Sequence, residues 1–295
     1  MNSLKSGLAS KIAEFLHFRQ SIGLSNLQED VFENFDAYCQ KYHPESKNLC
    51  RDVVRGWATY EMSQGRGGMY NRISPLRLFA KYLGDGAYVL PTTAVPKKPK
   101  CTPYIMTDDE IRRFFNAVDN VEVIADPFMQ EIAPVMFRLL YTCGLRPGEC
   151  RLIKCSELNF TTGEILIKMS KSHKERIVVM SDDMLGLCKQ YYARRAASVI
   201  KSEYLFPMSN GNPIANYQLH RMFTKCWRLA NTDIPPNMLP RVRPYDLRHR
   251  FASTNLQMWI DEGRDLYAML PYLRSYMGHD DFEMTAYYYD KQTIM

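Results

Sequence analysis

One proline-rich stretch, PTTAVPKKPKCTP at residues 91–103, constrains the fold of this chain more than any other feature. It holds four prolines and three lysines and has few apolar residues. Proline fixes its own backbone angle and has no amide hydrogen to donate, so this composition is typical of an extended linker. We therefore predict two domains, covering residues 1–90 and 104–295, with the linker between them.

The first domain is predicted to be all-helical, because apolar residues recur four times at helical spacing. Ser25 followed by Gln28 predicts a capping box that opens the second helix, and Pro75 should start or kink the fourth. The apolar faces contain Leu8, Ile12, Phe15 and Leu16, then Leu27, Val31, Phe35 and Tyr38, then Leu49, Val53, Trp57 and Tyr60, and finally Ile73, Leu76, Phe79 and Leu83.

The second domain is predicted to be mainly helical with a small sheet on one side. Thr107 and Glu110 form a second capping-box pattern, and a long apolar segment ending at Gly144 predicts a buried helix. Asn216 is expected to cap a later helix. Two short strands are predicted where apolar residues alternate, at Ile165 and Ile167 and again at Ile177 and Val179.

Composition excludes several classes of protein. Hydrophobic residues make up 46% of the 295 residues and charged residues 24%, which is typical of globular chains. No apolar run approaches the ~18 residues of a membrane span, and the N-terminal sequence lacks the features of a secretory signal. The eight cysteines form no CxxC pair, so we expect reduced thiols, no metal site and a cytoplasmic protein. The net charge of +6 is compatible with a polyanionic partner.

Several polar residues stand in unusual places. Arg146 follows the end of the predicted buried helix and could simply pair with Glu149. Lys171 occupies the turn between the two predicted strands, where a solvated lysine is common. Arg248 and His249 lie inside an apolar helix, and a buried arginine needs an anionic partner. Two more candidates follow Gly278, at a predicted helix start: His279, and a tyrosine in the run at 287–289.

Four ordered segments resemble the motifs of the tyrosine recombinase (phage integrase) family. They are GLRPGE, the turn in MSKSHKERIVVMS, YDLRHRFAS and MGHDDFEMTAYYY. The match spans residues 104–290, and residues 1–90 resemble, more weakly, the helical core-binding (SAM-like) domain of the family. The resemblance implies a mixed α+β catalytic domain with a small antiparallel sheet.

The resemblance also implies a reaction that fits these side chains. A tyrosine attacks a DNA phosphate, forms a covalent 3′-phosphotyrosine, and is displaced by the 5′ hydroxyl of a partner strand, with no metal, ATP or other cofactor. By resemblance the catalytic residues are Arg146, Lys171, Tyr245, Arg248, His279 and Tyr288. Glu149 and His249 would support them. The candidate DNA-binding residues are Lys97, Lys98, Lys100, Lys174 and Arg176.

Two departures from the family pattern stand out. Tyr245 occupies a position that is most often histidine; its hydroxyl can donate to a phosphate but is a poor proton acceptor near neutral pH. Seven residues follow Tyr288 in the sequence, too few for the further helix with which many relatives dock on a neighbouring subunit. The way in which subunits contact one another is therefore open.

Helical spacing separates only one of the three tyrosines. Tyr289 lies seven residues after Phe282, so both should share an apolar face. Spacing does not choose between Tyr287 and Tyr288. The family register, nine residues after His279, selects Tyr288 as the nucleophile.

The implied partners are double-stranded DNA carrying a recombination site and further copies of the chain, assembled as a homodimer to homotetramer. Accessory proteins that bend DNA or set direction are also implied, as is a role in the integration of mobile elements. Two alternatives remain at this point: a type IB topoisomerase that relaxes supercoils, and a catalytically silent DNA-binding protein of the same fold.

Overall fold

The structure is a computed structural model in which residues 4–24, 28–60, 66–94, 102–121, 127–168, 175–198 and 200–278 are described. Its internal contacts divide the chain into two compact units, Met1–Cys101 and Thr102–Met295. The three lysines of the predicted linker, Lys97, Lys98 and Lys100, lie outside the described residues.

The first unit contains four described α-helices, as the apolar spacing predicted. They are α1 (Ala9–Ser21), α2 (Glu29–Tyr42), α3 (Arg51–Thr59) and α4 (Arg66–Leu83). Aromatic rings fill the core: Phe15 and Phe32 meet edge to face at 5.5 Å, and Phe35 meets Trp57 at 5.4 Å. Such pairs add stability beyond the burial of their surface.

The start of α2 differs from the sequence prediction, and the structure narrows the prediction for Pro75. Helix α2 begins at Glu29, and Gln28 precedes it in a left-handed conformation with φ of 55°. Gln28 therefore cannot be the third residue of a capping box, and Ser25 lies outside the described residues. Pro75 lies inside α4, which excludes the first of its two predicted positions, a helix start. The spacing of apolar residues thus located the helices better than the capping motif located their ends.

The second unit combines helices with one small sheet. Its helices are α5 (Asp108–Asp119), α6 (Pro127–Thr142), α7 (Pro147–Arg151), α8 (Asp182–Ala197), α9 (Asn216–Leu229), α10 (Pro244–Asp261) and α11 (Leu266–Met277), and its strands are β1 (Leu158–Asn159), β2 (Glu164–Ile167) and β3 (Arg176–Val179). The buried helix α6 packs against α5, α8 and α10, which makes it the centre of this core.

Capping motifs in the second unit had mixed success. The Thr107 box is confirmed: the Thr107 hydroxyl accepts from the Glu110 amide, and the Glu110 carboxylate accepts from the Thr107 amide. The prediction for α9 was one residue late. Ala215 is the residue that precedes the helix, and its amide donates to the Gln218 side chain at 3.0 Å.

The three strands form an antiparallel sheet in the order β1-β2-β3. Ile165 and Ile167 are buried as predicted, but the facing of β3 is the reverse of the prediction. Val178 is buried, whereas Ile177 and Val179 are more than half exposed. Ile165 pairs with Val178, and paired residues share one face of the sheet. Four consecutive apolar residues in this segment left the alternation ambiguous in sequence.

The cysteines within the described residues all carry free thiols. Across the same residues, no helix has both the length and the apolar character needed to cross a membrane.

Candidate active site

The site begins at the turn that follows α6. Gly144 ends this helix with φ of 59°, a left-handed conformation that favours glycine. A Cβ atom at this position would also lie 2.5 Å from a ring carbon of Phe251 in α10. Glycine thus lets the turn approach α10 closely. Arg146 follows in extended conformation as the residue that precedes α7.

Arg146 and Glu149 form the ion pair that their spacing made possible. The Arg146 Nη1 donates to Glu149 Oε1 at 2.7 Å, and the Arg146 backbone amide donates to Glu149 Oε2 at 3.0 Å. Pro147 occupies the first helical position, where its missing amide hydrogen has no consequence. The short helix therefore holds the carboxylate against both the backbone and the guanidinium of Arg146.

Arg176, the first residue of β3, binds the same carboxylate. Its Nη1 donates to Glu149 Oε1 at 3.0 Å and its Nη2 to Glu149 Oε2 at 2.7 Å, a bidentate geometry. Its side chain is 9% exposed. The sequence suggested that Arg176 is a DNA-contacting cation, but the structure commits its guanidinium to buried partners within the protein. This placement favours a role inside the site over a contact with DNA.

Arg248 lies fully buried in α10. Its Nη1 donates to the Gly144 carbonyl oxygen and its Nη2 to the Met277 carbonyl oxygen, both at 2.6 Å. The guanidinium therefore bridges the turn after α6 and the end of α11. Two carbonyl dipoles thus face its Nη groups.

Three arginines from three separate elements converge on the end of α11. Gly278 ends this helix with φ of 63°, and its amide donates to the carbonyl oxygens of Arg274 and Ser275. The next three carbonyl oxygens accept from arginines: Tyr276 from Arg176, Met277 from Arg248, and Gly278 from Arg146 at 2.5 Å. The last carbonyls of a helix have no partner within it and carry its negative dipole end. They are therefore well suited to hold guanidinium groups.

Tyr245 and His249 lie one turn apart on α10, next to this cluster. Their rings meet at 5.0 Å. Burial alone would lower the pKa of Arg146, but the hydrogen bond and charge of Glu149 outweigh it, and the Tyr245 hydroxyl adds to the effect. The net result is a raised pKa for Arg146. Tyr245 thus faces the Arg146 guanidinium, and His249 is a mostly buried neighbour.

The charges explain why Glu149 stays ionised. Burial would raise the pKa of Glu149, but the hydrogen bonds and charges of Arg176 and Arg146 lower it to about 2. The cluster contains three guanidinium groups, two of them on Glu149, and this one carboxylate, so it carries excess positive charge at neutral pH. Such a site is suited to an anion that accepts hydrogen bonds from two arginines at once, above all a phosphate.

This ion pair predicts a stability that depends on pH. The folded pKa of Glu149, about 2, lies below its ordinary value of 4.5, so its contribution is complete above about pH 5 and is lost as pH falls towards 2. We expect thermal melts to show a stability gap between wild type and Glu149→Gln that is widest near neutral pH and shrinks in acid. A matched control is Glu203→Gln, which removes an exposed partner of Lys154. A gap that is the same at about pH 6 and about pH 3 would contradict this assignment.

The described site thus brings together Arg146, Glu149, Tyr245, Arg248 and His249. The other catalytic candidates, Lys171, His279 and Tyr288, lie outside the described residues, as do Tyr287, Tyr289, Lys97, Lys98, Lys100 and Lys174. Sequence reasoning missed the function of the α11 carbonyls, because every residue has a carbonyl and only tertiary structure selects these three.

Comparisons with known proteins agree with this arrangement. The model of the phage integrase family matches residues 105–294. A Sinorhizobium fredii protein, y4rE, whose name describes an integrase/recombinase, is 27% identical over 300 residues, which cover 98% of this chain and 93% of the relative. The tyrosine recombinase XerC of Oceanobacillus iheyensis is 26% identical, over 88% of this chain and 87% of its own.

Solved structures show the same fold. The integrase of the Tn1549 transposon, in complex with transposon right end DNA, has a TM-score of 0.66 at 16% identity and covers 95% of this chain and 93% of its own. The XerH site-specific recombinase, bound to a palindromic difH substrate, has a TM-score of 0.65 at 18% identity and covers 97% and 82%. Together with the family match over most of its length, the ordered motifs and the arginine cluster establish that this chain belongs to the phage integrase family of tyrosine recombinases.

Proposed function

We propose that this chain is a site-specific DNA recombinase that cleaves and rejoins strands through a covalent 3′-phosphotyrosine. The observation that carries the proposal is the pair of guanidinium groups, Arg146 and Arg248, held beside each other on the end of α11. Cleavage of a phosphodiester places extra negative charge on phosphorus oxygens, and preorganised cationic donors lower the barrier to that state. The relatives named above act on DNA or carry the name of recombinase, which supports this function.

Each site residue has a distinct part in this reaction. Arg146 and Arg248 bind the non-bridging oxygens, and a guanidinium has five N–H groups, so Arg146 can contact phosphate while Glu149 holds it. Tyr245 donates its hydroxyl to the same phosphate. We assign a further phosphate hydrogen bond to His279 and the proton for the departing 5′ oxygen to Lys171. General-acid assistance of this kind is worth roughly 10²–10⁴-fold.

Tyr288 is the proposed nucleophile. Its phenolic oxygen attacks phosphorus as the bond to the 5′ oxygen breaks, and the bond energy is stored in the phosphotyrosine. The 5′ hydroxyl of a partner strand then reverses the step. Exchange between two duplexes requires several copies of the chain on DNA, a homodimer to homotetramer, and accessory proteins that bend DNA or set direction fit the same scheme. We place the protein in the cytoplasm, bound to DNA.

Covalent trapping tests the proposal. Duplexes that tile the DNA on both sides of the chain's own gene, each with a nick that lets the short fragment bearing the released 5′ hydroxyl diffuse away, should yield a denaturation-resistant protein–DNA complex in the presence of a metal chelator. Once a recombination site is verified, failure to trap on it would overturn the enzymatic function and leave a silent DNA-binding protein. Robust relaxation of a supercoiled plasmid that lacks the site would instead indicate a topoisomerase.

DNA binding should depend steeply on salt. Lysines and arginines that neutralise phosphates release condensed counterions, and the logarithm of the binding constant falls by about 0.9 per phosphate for each unit of log salt. We expect a slope of several units in fluorescence-anisotropy titrations across a range of salt concentrations. A binding constant that is the same across this range would contradict a phosphate-dominated interface.

A further inference from the structure

Arg176 is placed where it can influence Arg146 without touching DNA. Its two Nη groups donate to the two carboxylate oxygens of Glu149, and its Nε donates to the Tyr276 carbonyl oxygen at 2.9 Å. One side chain thereby joins β3, α7 and the end of α11. Glu149 in turn holds both the backbone amide and the Nη1 of Arg146.

The residues around Arg176 pack closely against its side chain. A Cβ atom on Gly278 would lie 3.2 Å from the Arg176 Nη1 and 3.3 Å from its Cδ, closer than ordinary packing allows. Tyr276, whose carbonyl Arg176 binds, also stacks its ring on Phe251 at 5.7 Å. The guanidinium therefore lies in close contact with the end of α11 as well as with Glu149.

Arg176 supplies one of the two donors to each carboxylate oxygen of Glu149. Without it, Oε2 would keep only the Arg146 amide, and Oε1 only the Arg146 guanidinium. A buried carboxylate with fewer donors can tilt, and the Arg146 fork would tilt with it. In a reaction that requires two arginines on one phosphate, a displacement of about 1 Å lowers the rate on the order of 10²-fold.

We propose that Arg176 is a positioning residue of the cleavage reaction, which fixes the Arg146 guanidinium by gripping Glu149 and the end of α11 at the same time. This inference rests on the proposed function, and it replaces direct DNA contact as the role of Arg176. It also explains why a cation in a hairpin arm, where solvent exposure is common, is almost fully enclosed.

The test compares Arg176→Gln and Arg176→Lys with wild type on the verified recombination site. Single-turnover formation of the covalent complex should fall on the order of 10²-fold in Arg176→Gln. Arg176→Lys should recover only part of this loss, because an ammonium keeps the charge but cannot bind both carboxylate oxygens as a fork. The DNA dissociation constant and its salt slope should remain those of wild type. Arg112→Gln, which removes one exposed arginine from α5, is the matched charge control and should cleave normally.

Two further readouts separate positioning from a merely structural role. In a double-mutant cycle, Arg176→Gln should have little further effect when Glu149 is already Gln, because the two act through one contact. The pH profile should also change: the groups that face Glu149 are Arg176, Arg146 and the neutral Cys150 thiol, with Tyr245 next to Arg146. With Arg176 gone, Glu149 protonates at higher pH, so the acid limb of the cleavage rate should move upward.

The outcomes are distinguishable. Wild-type cleavage rates in Arg176→Gln would overturn the inference. So would a larger DNA dissociation constant together with a salt slope reduced by about one unit, which is the signature of a lost phosphate contact. If Arg176→Gln does not fold, as shown by its thermal melt, Arg176→Lys decides: wild-type rates overturn the inference, and reduced rates with normal affinity support it. Failure of wild type itself to form covalent complex would overturn the proposed function, and this inference with it.

Discussion

A Tyr288→Phe variant will form no covalent complex with DNA, whereas Tyr289→Phe will form it as wild type does. The reaction needs one phenolic oxygen in line with the departing 5′ oxygen, and phenylalanine has none. Tyr289 shares the spacing of Phe282 and is expected to pack, so loss of its hydroxyl should leave cleavage intact. Trapping on a nicked duplex, followed by denaturing electrophoresis, measures the effect directly.

Tyr287→Phe is the decisive control for this prediction, because its phenol is adjacent in sequence. All three variants should bind DNA with the affinity of wild type, since each lacks only one hydroxyl. If the covalent complex persists in Tyr288→Phe and disappears in Tyr287→Phe, the register is wrong by one residue. If it disappears in neither, the nucleophile lies elsewhere.

The second large effect concerns Arg248. Arg248→Lys should slow covalent complex formation by about 10²–10³-fold, the usual loss when one donor to a charged transition state is removed. A lysine preserves the charge but cannot bridge the Gly144 and Met277 carbonyl oxygens, which the guanidinium binds at 2.6 Å each. The phosphate would then meet a mobile ammonium instead of a fixed fork.

Arg250→Lys is the matched control, two residues along the same helix. Arg250 forms a salt bridge with the exposed Asp108, and pairs of this kind contribute about 0–1 kcal/mol. We expect cleavage close to wild type in this variant. Wild-type cleavage by a folded Arg248→Lys protein would contradict the assignment of Arg248 to the phosphate.

Local spacing predicted part of the site. Arg146 and Glu149 are three residues apart across a helix start, so their ion pair needed no knowledge of the rest of the chain. The burial of Arg248 followed from its place within an apolar helix. Arg176 is different: its partner lies 27 residues away, on an element that no pattern in its own strand identifies. As an isolated charge in a hairpin, it is predicted from sequence to contact DNA.

The end of α11 was harder still to predict. Gly278 ends α11 in a left-handed conformation, which no sequence pattern predicts. The helix start predicted at His279 lies outside the described residues. Only the tertiary structure shows that the carbonyl oxygens of Tyr276 and Met277 accept from arginines. The four helices of the first unit, in contrast, were predictable from their strong apolar periodicity, although the capping motif misplaced the start of α2.

The central claim is that the cleaved DNA strand is bound covalently to Tyr288. Peptide mapping of the trapped complex tests this claim most directly. Cleavage after Arg274 and Lys291 releases residues 275–291, which contain the whole tyrosine run. After nuclease digestion, fragment ions in tandem mass spectrometry should place the nucleotide adduct on Tyr288, joined through a 3′-phosphate. An adduct on any other residue, or one joined through a 5′-phosphate, would contradict the account.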